Sequence, residues 1–108
     1  MKSSVVIRRN GGFYYAFDND ALVISYLTGY KVSSGRCGFP LNSLNKVTNL
    51  LEESKVNYIV KENMKEVESK NYKKNNKYSK VLDKGKKKYN IDYRINKLLD
   101  IIEDYIDE

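Results

Sequence analysis

In Phe13-Tyr14-Tyr15-Ala16-Phe17 four of five residues carry rings, and because side chains alternate along a strand, a strand here presents Phe13, Tyr15 and Phe17 on one face and Tyr14 with Ala16 on the other. Aromatic side chains stack on nucleobases, at ~1–3 kcal/mol per base, and apolar side chains wedge into duplexes from the minor groove. Phe13 and Tyr15 are therefore candidates for contact with bases. Arg8, Arg9 and Arg36 are candidates for phosphate contact, because a guanidinium grips phosphate through two parallel hydrogen bonds, and Lys31 joins them. The stretch 70–88 holds nine Lys against one acid, Asp83, with Tyr72, Tyr78 and Tyr89 interleaved. Its Lys73, Lys74, Lys77, Lys86, Lys87 and Lys88 read as an electrostatic tether, giving non-specific, salt-sensitive attachment to a phosphate backbone.

Each of these features has a plainer reading. Phe13, Tyr15 and Phe17 can be ordinary core beneath a C-terminal helix. The arginines can be charges that discourage edge-to-edge strand pairing. The lysine stretch can be a solvated loop, in a chain whose abundance of Lys, Asn, Tyr and Ile suggests an AT-rich coding genome. Four Arg against sixteen Lys also argue against detailed reading of base edges.

Other chemistries find little support. The chain has no histidine, so the usual general base near neutral pH and the commonest metal ligand are missing, and Ser-His and Cys-His nucleophilic arrangements are excluded. Cys37 is the one cysteine, which leaves no internal disulfide and no cysteine pair for zinc. No catalytic residue, metal or cofactor is expected. No run reaches the roughly 20 apolar residues of a membrane-spanning helix, and the first residues lack the apolar run and cleavage site of a signal peptide. A cytoplasmic protein is expected, with no membrane partner. The net charge of +6 is uneven: residues 1–60 carry seven basic and four acidic groups, residues 61–88 eleven and four, and residues 89–108 two and six.

The elements that must position these residues are those of one small α+β domain. Ser4 to Phe17 reads as a hairpin, with Asn10-Gly11 as a type I′ turn that sets Arg8 opposite Phe13, Ile7 opposite Tyr14 and Val6 opposite Tyr15. Val5, Ile7, Tyr14 and Ala16 then form the core face, and Val6, Arg8, Phe13, Tyr15 and Phe17 the other. A buried helix follows, with Asp18 or Asp20 as cap and Gly29 as stop. Tyr30 to Ser33 suits a short strand and Ser34-Gly35-Arg36 a turn. After Pro40, a helix capped by Asn42 or Ser43 carries the stripe Leu44, Val47, Leu50, Leu51, and Val56 to Val60 reads as a strand. Met64 and Val67 permit a short helix, Lys70 to Lys77 suits a loop, and Tyr78 to Tyr89 a second hairpin around Asp83-Lys84-Gly85. The chain closes with a helix over 91–107, with an apolar stripe from Ile91 through Ile106 and an acidic outer face.

Val5 to Tyr14, Asp18-Asn19-Asp20-Ala21 with its apolar helix, and Gly38-Phe39-Pro40 followed by helix and strand together resemble the N-terminal mismatch-recognition domain of the MutS DNA mismatch-repair family, over about residues 5–62. The resemblance implies a compact domain with a mixed sheet that touches duplex DNA from the minor-groove side. It places Phe13 at the family's wedging phenylalanine and Tyr14 at a core-facing tyrosine. Tyr15 stands where the family has the glutamate that contacts the mispaired base. The family's clamp, dimer interface and ATPase have no counterpart here, so repair activity does not follow.

The expectation is thus a small mixed β-sheet with an N-terminal hairpin and about three helices: a mismatch-recognition-like core over 5–62, a basic connecting segment over 63–90 and the closing helix. The function expected is non-enzymatic nucleic-acid binding, to duplex or single-stranded DNA. The alternative is a small accessory or inhibitor protein, of the kind mobile elements carry, that acts by protein–protein contact.

Overall fold

A computed structural model describes residues 3–91 of the 108. The chain opens with the expected hairpin, β1 (Val5–Asn10) antiparallel to β2 (Phe13–Phe17), but its turn is Gly11-Gly12. Asn10 faces Phe13, Arg9 faces Tyr14 and Arg8 faces Tyr15. A type I′ turn at Asn10-Gly11 would need positive φ at both residues. Here Gly11 takes it (φ 63) and neither Asn10 nor Gly12 does, the pattern of a type II′ turn with glycine in the first central position. The slip from the expected pairing is two residues, so every side chain keeps its face.

α1 (Asp18–Thr28) starts directly after β2 and stops at Gly29, which is left-handed (φ 83) and donates its N–H to the Ser25 carbonyl at 2.8 Å. Neither acid caps it: Phe17 is the N-cap residue, without a side-chain bond. The segment 30–33 is loop rather than strand. Ser34 and Gly35, both at positive φ, make a tight turn closed by a bridge between Ser33 and Arg36. That turn delivers the chain into β3 (Arg36–Pro40), which pairs with β2. A short 3-10 turn (Leu41–Ser43) leads into α2 (Leu44–Glu53), again without a side-chain cap bond. β4 (Tyr58–Glu62) runs parallel to β1. A turn at Asn63-Met64 then gives β5 (Lys65–Lys70), where a short helix was expected.

Residues 78–91 are helical (α3), not a hairpin. Gly85 is a packing glycine rather than a turn glycine, because a Cβ there would stand 2.8 Å from the Leu22 carbonyl of α1. The closing helix expected over 91–107 lies outside the described residues apart from Ile91.

The result is a mixed five-stranded sheet in the order β3-β2-β1-β4-β5, with the helices of the described residues on one face. That face supplies Val5, Ile7, Tyr14, Ala16, Cys37, Phe39, Tyr58 and Val60 to the core, against Ala21, Val23 and Ile24 of α1, Val47 and Leu51 of α2, and Tyr78 and Val81 of α3. Two polar groups fasten α3 to this body. Asp20 accepts from the Val6 N–H at 3.1 Å and from the Tyr78 hydroxyl at 2.5 Å. Asn76 accepts from the N–H groups of Asn57 and Tyr78 and donates to the Ser3 carbonyl.

Candidate nucleic-acid interface

No element among the described residues packs on the other face of the sheet. β2 sends Phe13, Tyr15 and Phe17 to it, and Phe13 and Phe17 keep 47% and 46% of their surface in solvent. Side chains two apart on a strand are spaced by about 6.6 Å, and the rings follow the backbone: centroids lie 6.3 Å apart for Phe13–Tyr15 and 6.5 Å for Tyr15–Phe17. Tyr15 leans over Gly38 of β3, where a Cβ would meet its ring at 2.6 Å. The missing side chain at Gly38 is what lets this ring lie down on the sheet.

The cations beside the rings are set by strand pairing. Arg8 faces Tyr15 from β1, and Lys61 of β4 faces Arg8, so one row across the sheet reads Gly38, Tyr15, Arg8, Lys61 and Glu66. Arg36 faces Phe17 from β3 and holds its guanidinium carbon 5.3 Å from the Tyr15 ring centroid, a cation–π distance. Val6 and Ile59, adjacent on β1 and β4, are half-buried on the same face. The one ion pair among the described residues is Arg9–Glu62, so Arg8 and Arg36 have no carboxylate partner there.

Sequence reasoning thus brings four of its candidates together: Phe13, Tyr15, Arg8 and Arg36. The others stand elsewhere. Arg9 points to the helix-bearing side, where it donates to Glu62 at 2.7 Å. Glu62 holds the Arg9 guanidinium above its ordinary pKa, and also receives the Tyr14 hydroxyl at 3.4 Å. Lys31 is exposed in the loop between α1 and β3. Lys73 and Lys74 sit on a 3-10 turn (Lys73–Asn75) after β5, and the N–H of Lys77 is tied to the Lys55 carbonyl. Lys86, Lys87 and Lys88 are exposed on α3, in the helical layer. Lys86, Lys87 and Lys88 and the exposed rings therefore belong to opposite sides of the sheet, while Lys73, Lys74 and Lys77 sit in the segment that follows β5.

Three residues beside these candidates escaped the sequence reading. Phe17 was placed on the right face but not in the site. Lys61 arrives only through the parallel β1–β4 pairing, which leaves no local signal. Gly38 matters for what it lacks, visible only once Tyr15 is seen above it.

Among the described residues no group of three or more His, Cys, Asp or Glu is arranged to hold a metal, and no helix is long and apolar enough to cross a membrane. Burial pushes the Cys37 thiol up to about 11, so it is a packed thiol rather than a nucleophile. The chain matches no protein-family profile, and no curated protein matches it.

Proposed function

We propose that this chain is a non-enzymatic nucleic-acid-binding module whose contact surface is the open face of its sheet. The observation that supports this most is the conjunction, on one face of the sheet, of three rings from β2, two of them half-exposed, with the guanidiniums of Arg8 on β1 and Arg36 on β3, which have no carboxylate partner among the described residues. Adjacent exposed rings rimmed by charge form the kind of patch that marks an interaction surface. Flat π-faces beside cations suit stacked bases with phosphates alongside. The sequence resemblance to the MutS mismatch-recognition domain points the same way, and under it Phe13 takes the part of the wedge.

Electrophoretic mobility shift over a salt series tests it. Binding at low salt that weakens steeply as salt rises is the expected result. No shift with single-stranded, duplex or mismatched oligonucleotides at low salt refutes it. One observation favours the protein-contact alternative. β5 is an edge strand exposed along its whole length, and its Val67 and the preceding Met64 are solvent-facing, as suits pairing with a partner's strand. Lys65 and Lys70 at its ends oppose such pairing.

A further inference from the structure

Resting on that nucleic-acid reading, we infer that the ligand is an unstacked single strand, laid along β2 with successive bases on Phe13, Tyr15 and Phe17. Ring spacing is the first argument. Steps of 6.3 and 6.5 Å are about twice the ~3.4 Å rise per nucleotide along a strand of duplex. Bases that remain stacked on one another cannot occupy neighbouring rings, whereas an extended strand places one base on each.

Shape is the second argument. Five strands at about 4.8 Å span a platform near 19 Å wide, and a minor groove is only about 6 Å across. The turn end with Phe13 is all that could enter a duplex, and Tyr15, Phe17 and Arg36 would then stay idle. Charge is the third. Arg8 and Lys61 continue the Tyr15 row across β1 and β4 and offer cations to the phosphates of a strand stacked on β2, with Glu66 ending the row on β5. Arg36, now 5.3 Å from the Tyr15 ring, gives up that ring to a base and takes the phosphate next to it.

The test uses the full chain and fluorescein-labelled 12-mers of thymidine and of uridine. Each is presented single-stranded, in matched duplex, and (for the DNA) in duplex with one mismatch. Single strands are expected to bind tightest. Phe13→Ala, Tyr15→Ala and Phe17→Ala should each weaken them by about 5- to 100-fold, with melting temperatures close to wild type. The ratio of thymidine to uridine affinity assigns the sugar. Duplex binding as tight as single-strand binding, or a loss at Phe13→Ala with none at Phe17→Ala, overturns the single-strand inference and leaves nucleic-acid binding standing. Binding to none of the probes overturns both.

Tyr15→Trp guards against a variant that merely misfolds, because the chain has no other tryptophan. Its emission should be quenched by single strands and unmoved by duplex. Emission unmoved by a single strand that demonstrably binds also overturns the inference. Gly38→Ala keeps every ring but crowds the one above Gly38, and it should weaken single strands several-fold at unchanged melting temperature.

Discussion

The two faces of the sheet are built from the same strands and share almost nothing else. On β2, Tyr14 and Ala16 are sealed beneath the helices, while Phe13 and Phe17, one residue away on either side, stand half in water. On β3, Phe39 is closed off between Tyr14 and Tyr30, with ring centroids 5.8 and 6.0 Å away, while Arg36 and Pro40 are exposed. Alternation along a strand supplies both faces automatically. It does not require the second face to carry rings: a strand needing only a wet outer face would place Thr, Lys or Glu there, as β5 does. The covered face answers to stability, and nothing among the described residues packs on the open face to explain its rings in the same way.

The largest effect that separates the faces should come from phenylalanine removal. Phe39→Ala empties a fully buried ring site and should cost ~3–5 kcal/mol, read as a drop in the midpoint of denaturant unfolding at unchanged slope. Phe17→Ala removes a ring of the same size from β2, and should cost no more than ~1 kcal/mol while weakening nucleic acid. Equal losses of stability would mean that the open face is also core.

Asp20 gives the next largest effect, on the covered side. Desolvation raises its carboxyl above the ordinary value, against the lowering by its bonds from Tyr78 and Val6. Asp20→Ala leaves the Val6 N–H and the Tyr78 hydroxyl without a partner and should cost ~2–4 kcal/mol, detaching α3 first. The pH dependence has a defined sign. A carboxyl whose folded pKa lies above its unfolded value binds a proton more tightly in the fold, so its contribution is greatest at low pH. It is lost as pH rises from about 3.9 through the raised folded value. Asp20→Asn keeps both partners, because the Tyr78 oxygen can turn to accept from the amide, and it does not titrate. Unfolding measured against pH should therefore show wild type losing stability relative to Asp20→Asn across that window. A wild type that instead gains on the variant as pH rises would mean that the bonds from Tyr78 and Val6 outweigh desolvation.

What the sequence made legible follows from how local each signal is. The face assignment of Phe13 to Phe17 needed only the period of two, and it survived an error in the turn because the slip was even-numbered. The Asn-Gly signal misled since Gly11-Gly12 next to it satisfies a different turn. β3 was missed because Gly38 and Pro40 interrupt a β composition, yet both point to the open side of an edge strand, where they are tolerated. β5 is Lys/Glu-rich and exists only by pairing with β4, and its turn asks Met64 to adopt positive φ (φ 64), which no sequence rule anticipates. Gly85 has the local composition of a turn, and its packing role comes only from α1 lying against it. Of the candidate site, Phe13, Tyr15, Arg8 and Arg36 were legible; Lys61 and Gly38 are consequences of strand order.

The smallest effect concerns the lysines of α3. The sequence alone makes Lys86, Lys87 and Lys88 a tether for the same nucleic acid that Phe13 and Tyr15 touch, but the fold sets them in the helical layer, with the sheet between. Charge acting from there is screened within a Debye length of about 8 Å at physiological salt. Replacing all three by Gln should therefore change single-strand affinity less than about twofold at 0.15 M salt, and show itself only at low salt as a shallower dependence of affinity on salt. Arg8→Gln, which removes a single charge beside the rings, should do more than this variant at every salt concentration. If the triple variant instead loses as much as Tyr15→Ala, the strand must wrap from one face to the other. The basic helix and the aromatic row would then be two halves of one site.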